Sequence, residues 1–174
     1  MGKAKKALYI LGIVVFVIVV AIAAGFYGIL NKKTPVDHEI LNADAQSKKL
    51  AIVTDGSEYK AALKAALAEA LGADCCIEVF GLQDARKVNT EDYDLVVVMA
   101  PVYIGRLQTS AKNFVVKNED SGNLMLIITA EGTNDIDMGV DTVTMATTAE
   151  FSDAPTNPMY TAEEAAQMIV DKLG

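Results

Sequence analysis

Leu95, Val96, Val97, Val98 and Met99 form an unbroken apolar run that stops at Ala100-Pro101, followed by Val102-Tyr103-Ile104-Gly105-Arg106-Leu107. A run this short, rich in valine and without polar alternation, fits a strand buried on both faces, as in a parallel sheet covered by helices. The rest of the chain must then supply strands to lie beside it and helices to cover both faces. In an open parallel sheet, ligands bind in the crevice beyond the carboxyl ends of the strands. Residues 101–107 therefore read as a binding loop.

The neighbouring segments meet that demand. Residues 50–54 (LAIVT) are a short apolar strand, and Asp55-Gly56-Ser57 is a turn rich in helix-capping residues. Residues 58–71 place Leu63, Leu67 and Leu71 at helical spacing, with Gly72 as the stop. A second strand is expected over 75–80. After it, residues 81–92 leave room for at most a turn or two around Asp84-Ala85-Arg86-Lys87. The opening run gives the third strand, 94–99. Residues 108–117 read as a helix with Phe114 and Val115 inward, 124–129 as the fourth strand and 142–146 as a weaker fifth. A loop with Pro155 and Pro158 follows. Thr161 and Glu164 then have the spacing of a capping box, opening a helix that buries Ala165, Ile169 and Leu173. Such alternation predicts one α/β domain with a parallel sheet over 50–174. Only about a dozen residues separate the fourth and fifth strands, near the minimum for a parallel crossover, so the fourth crossover helix is reduced.

Upstream, residues 7–30 are 24 consecutive positions without a charge, flanked by Lys3, Lys5 and Lys6 before and Lys32 and Lys33 after. About 20 apolar residues cross a bilayer core, and Tyr9, Phe26 and Tyr27 suit the interfacial belts. Residues 1–6 thus read as a basic N-terminus, 7–30 as a transmembrane helix and 31–49 as a polar tether. A cleaved signal peptide with Ala21-Ile22-Ala23 as its site is the competing reading, but the apolar segment runs past it to Leu30. Three lysines before the span against two after favour the N-terminus inside and the domain outside a cell membrane, single-pass; counting Lys48 and Lys49 reverses that bias.

The first 33 residues hold five lysines and no acid, leaving ten Lys and Arg against all 23 acidic residues, a net charge of −13. A domain so acidic repels nucleic acid and matches basic protein partners; the plainer reading of the charge is solubility. Cys75 and Cys76 are adjacent and fall on opposite faces of a strand, which suits packing better than redox pairing. The one histidine, His38, lies in the tether, so the domain has no base for Ser-His or Cys-His catalysis and no Cys/His spacing for a metal.

YDLVVVMAPVYIGRL, residues 93–107, resembles a motif of the flavodoxin superfamily: an aliphatic strand ending in a small residue, then Pro, Val or Ile, Tyr, any residue, Gly, Lys or Arg. It is most similar to the membrane-associated branch containing menaquinone-dependent protoporphyrinogen oxidase. The resemblance implies strand order 2-1-3-4-5 and FMN held at the carboxyl edge beside the first and third strands. It implies ring contacts from Pro101, Val102, Tyr103, Ile104, Gly105 and Arg106, with Tyr103 laid against the isoalloxazine and Gly132 in a third contact loop. For the phosphate it implies Thr54, Gly56, Ser57 and Tyr59, since Gly56-Ser57-x-Tyr59 resembles the start of the branch's G-S-x-Y-G-x-T loop, and Lys60 beside them is a candidate point charge for the phosphate. The loop departs from that pattern: Lys60 stands where a glycine is expected, the threonine position falls on Ala61 or Ala62, and Asp55 and Glu58 add negative charge.

Two functions follow. One is a membrane-tethered, FMN-binding electron-transfer protein that exchanges electrons with a basic redox partner or a membrane quinone. The other is a degenerate flavodoxin-like domain without cofactor, serving as a membrane-anchored binding or scaffold module. A receiver-like signalling domain ranks below both, because the acidic pair and the lysine it needs are not in place.

Overall fold

In the computed structural model, which describes residues 3–30, 35–45, 47–103, 106–130, 138–145 and 160–174, the elements follow one another as α1 (Lys3–Leu30), β1 (Glu39–Leu41), β2 (Lys48–Thr54), α2 (Glu58–Leu71), β3 (Cys75–Gly81), β4 (Leu95–Tyr103), β5 (Arg106–Leu107), α3 (Thr109–Lys117), β6 (Leu124–Ala130), β7 (Asp141–Met145) and α4 (Ala162–Leu173). The chain divides into two compact units, Met1–Lys32 and Lys33–Gly174.

In the second unit, β3, β2, β4, β6 and β7 lie side by side in that order, all parallel. The five parallel strands therefore run second, first, third, fourth, fifth along the chain. The complete order differs from the expected five-stranded sheet because two antiparallel strands are added: β1 beside β3 and β5 beside β4. The fold is α/β and flavodoxin-like, with no helix among the described residues between β6 and β7.

Period-two alternation sorts the strand residues onto two cores. Leu50, Ile52, Ile77, Val79, Val97 and Met99 face α2 and α4, where they meet Leu63, Leu67, Ala165 and Ile169. Val53, Phe80, Val96, Val98 and Leu126 face α3, where they meet Ala111, Phe114 and Val115, together with a 3-10 turn at Leu82–Lys87. Side chains this completely buried contribute about 1.5–3 kcal/mol each, which is why the central strands read as continuous apolar runs. The cysteines divide as expected: Cys75 is buried on the α2 side, and Cys76 is half-buried on the opposite side.

Helix ends follow the residue types. Ser57 caps α2 and Gly72, at φ 49°, closes it. At α4 the capping box is complete: Thr161 N–H donates to Glu164 Oε2 at 2.8 Å, and Glu164 N–H donates to Thr161 Oγ1 at 3.2 Å.

Two expectations change. The tether read over 31–49 is not wholly a linker. Within it, β1 pairs with β3 through Glu39↔Val79 and Leu41↔Ile77, and β2 already begins at Lys48. An ion pair from Lys64 to Glu39 and a 2.7 Å contact from His38 Nε2 to Glu78 Oε1 hold this edge, while the His38 ring lies 4.9 Å from that of Phe80. The binding loop also starts later than expected. Pro101 and Val102 continue β4, paired with Thr129 and Ala130 of β6. Proline is tolerated there because β2 has ended at Thr54↔Met99, so the position faces no β2 partner.

In the first unit, α1 is a helix of 28 residues with no acidic side chain in its first turn. Its described large apolar side chains from Ile10 to Ile22 are all exposed. Among the described residues no helix is long and apolar enough to cross a membrane. Side chains are described without a break over 10–25, about 24 Å of helix at 1.5 Å per residue against a core of about 30 Å. The span expected over 7–30 extends beyond them at both ends.

Candidate functional site

The crevice predicted beyond the carboxyl ends of the strands is bounded by the ends of β2 and β4, neighbours in register at Thr54↔Met99. Thr54 ends β2, Gly56 and Ser57 lie in its connection to α2, Tyr59 and Lys60 stand in the first turn of α2, and Pro101, Val102 and Tyr103 come from the end of β4. Topology thus brings together the two segments that sequence separates by about forty residues. Ile104, Gly105 and Gly132 lie outside the described residues, as does the side chain of Tyr103.

The first segment is engaged internally. Thr54 is buried, and its hydroxyl donates to the Asp55 carbonyl at 3.1 Å. Asp55 accepts from the Lys60 ammonium in a buried ion pair whose side chains are 11 % and 2 % exposed, respectively. Burial pulls the Lys60 ammonium below the usual lysine range, and the charge and hydrogen bond of Asp55 oppose that pull. Ser57 Oγ accepts the Lys60 N–H at 3.4 Å and so serves as the helix cap. Tyr59 turns away towards α4: its hydroxyl lies 3.1 Å from the carbonyl of Tyr160 and 3.4 Å from that of Thr161. Burial, then the charges of Glu164 and Glu163, push its phenol up to about 12.

Helix N-termini attract anions through their free N–H groups and dipole. Here carboxylates already stand at that end: Glu58 in the first turn of α2 and Asp55 just before the cap. The loop's one cation is neutralised by Asp55, its one serine is spent on the cap, and Ala61 and Ala62 carry no hydroxyl. This arrangement does not fit the phosphate dianion of FMN.

On the other side, Pro101 and Val102 are buried in β4, and the Pro101 carbonyl accepts the Gln108 N–H at 3.3 Å. Tyr103 pairs with Arg106 in the β4–β5 ladder, and the Arg106 side chain is exposed. The stretch read as a free loop is therefore a strand end folding back on itself.

Two arrangements escaped the sequence reading. Asp55 was recognisable as a misplaced charge, but the five-residue offset to Lys60 matches no helical pairing rule, so its role as partner was not legible. Glu78 of β3 accepts from Tyr93 at 2.6 Å as well as contacting His38, joining the segments that lead into β1 and β4, which sequence spacing does not connect. Among the described residues no group of three or more His, Cys, Asp or Glu is placed to hold a metal.

Residues 55–135 match a family model described as a flavodoxin domain. Among solved structures, the chain is similar to the two-electron reduced flavodoxin of Megasphaera elsdenii, at 18% identity over 68% of this chain and 98% of that one, with a TM-score of 0.41. It is similar to the Fusobacterium nucleatum flavodoxin bound to flavin mononucleotide, at 15% identity over 72% and 66%, TM-score 0.39. It is also similar to the flavodiiron protein of Giardia intestinalis, at 15% identity and TM-score 0.42, covering 75% of this chain but spanning only 38% of that protein. No curated protein matches. Likenesses this distant carry no weight for what this chain binds.

Proposed function

We propose that the chain is a flavodoxin-like binding module, anchored at a membrane by α1, in which the site for the FMN phosphate has been closed from within. The observation that carries this reading is the buried Asp55–Lys60 ion pair at the N-terminus of α2. A phosphate dianion entering there meets Asp55 and Glu58 and must strip Lys60 from its partner. Breaking a buried pair strands a charge at a penalty of about 3–5 kcal/mol. The anchor is supported by the uncharged run 7–30 between lysine clusters. The excess of acid in the remaining residues favours a basic protein partner.

A second reading, an FMN-dependent electron carrier serving a basic redox partner or a membrane quinone, is favoured by the flavodoxin-domain match over 55–135 and by the Pro101–Arg106 motif. Titrating FMN with the purified full chain separates the two. The expected outcome is no quenching of flavin fluorescence at protein concentrations up to about 100 μM, a ceiling that leaves less than about 5.5 kcal/mol of binding energy. Saturable quenching with micromolar affinity would establish the electron-carrier reading instead.

A further inference from the structure

The connection from β3 to β4 contains only 3-10 turns, Leu82–Lys87 and Thr90–Asp92. A full crossover helix would lie alongside α3 and cover its flank. The six-residue 3-10 segment Leu82–Lys87 does not, and a hollow of about 250 Å³ remains between it and α3. Its apolar surface comes from Leu82, Ala85, Val88 and Phe114, each only slightly exposed. Arg86 from the turn and Lys117 from the end of α3 also line it, with Ser110 and Asn113 as neutral polar groups.

These two cations stand out in a domain dominated by acid. The neighbouring Lys87 is taken by Asp84 at 2.8 Å. Arg86 lowers the Asp84 carboxyl only as a weaker influence behind Lys87. Among the described residues, neither Arg86 nor Lys117 has an ion-pair partner within 4.0 Å. An apolar floor with a few polar groups at its border is the usual construction of a small-molecule site, and this volume lies just below the drug-sized range. The charge at the border selects an anion, and guanidinium prefers the planar, bidentate geometry of a carboxylate.

We propose that this hollow binds a small amphipathic carboxylate, with its aryl or branched-alkyl body on Phe114, Val88 and Ala85 and its carboxylate held by Arg86 and Lys117. The hollow lies on the α3 face of the sheet, whereas α2 and its capped N-terminus lie on the other, so the inference does not depend on whether FMN is bound.

The test uses the ¹⁵N-labelled full chain in detergent micelles, titrated with 3-phenylpropionate and, separately, with its neutral isostere 3-phenylpropionamide. Saturable shifts confined to amides of residues 82–88 and 110–117 are expected, with the amide binding at least tenfold more weakly. Arg86→Gln and Lys117→Gln, both at exposed positions, should each weaken phenylpropionate at least tenfold, and Ala85→Phe should abolish the shifts by filling the hollow. Partition into the micelle alone would persist in every variant. Equal binding of acid and amide, unchanged affinity in both charge variants, or shifts scattered over the domain would each overturn the proposal.

Discussion

Asp55 and Lys60 form the most consequential residue-level contact, because both side chains are nearly sealed from solvent. Asp55→Asn leaves the lysine charge buried without a counter-ion and should destabilise the domain by about 3–5 kcal/mol; replacing both, as in Asp55→Asn with Lys60→Met, should recover most of that loss. Urea unfolding followed by tyrosine fluorescence measures both, and a single variant within about 0.5 kcal/mol of the parent would show that the pair is not held as described. Tyr59 offers a pH test. Its phenol titrates at about 12 in the folded domain against 10.0 unfolded, so the folded state holds the proton more tightly. That contribution is present in full below pH 10 and is lost as pH rises from 10 towards 12. In Tyr59→Phe, the fall in stability across that window should be shallower; an identical slope would show that this phenol is not the group responsible.

At the scale of elements, local rules succeeded where the structure is local. The helix over Glu58–Leu71 begins and ends at the residues expected, and the Thr161–Glu164 box closes as its spacing required. Thr161→Ala removes one arm of that box and should lower stability by about 1 kcal/mol, read as a drop in the urea midpoint with an unchanged slope. An unchanged midpoint would mean that α4 is held by packing alone. The misses have a common cause. Three residues of β1 and two of β5 are too few to show alternation, and each exists because a neighbouring strand offers unpaired backbone groups. Likewise, Pro101 reads as the start of a loop because proline breaks most ladders, yet it stays in β4 where the β2 ladder has ended. As for the candidate site, the sequence named the two segments that the topology sets side by side at the ends of β2 and β4. It did not reveal that Tyr59 is committed to α4, since that contact spans a hundred residues.

On the scale of the whole molecule, charge and hydropathy are segregated: an uncharged run with flanking lysines precedes a domain carrying all 23 acidic residues. If α1 is the anchor proposed, the full chain should stay in the membrane pellet through alkaline carbonate extraction and become soluble when residues 1–33 are removed. Release of the full chain by carbonate would sink the anchor. By itself the sequence determined the α/β class, the three helices of the domain with the caps of α2 and α4, and the five parallel strands, because periodicity and capping act over a few residues. Tertiary structure alone decided the two antiparallel additions, the pairing of Asp55 with Lys60, the commitment of Tyr59 and the hollow beside α3. Each depends on which groups remain unpaired or uncovered once the sheet is assembled, and that is a property of neighbours in space.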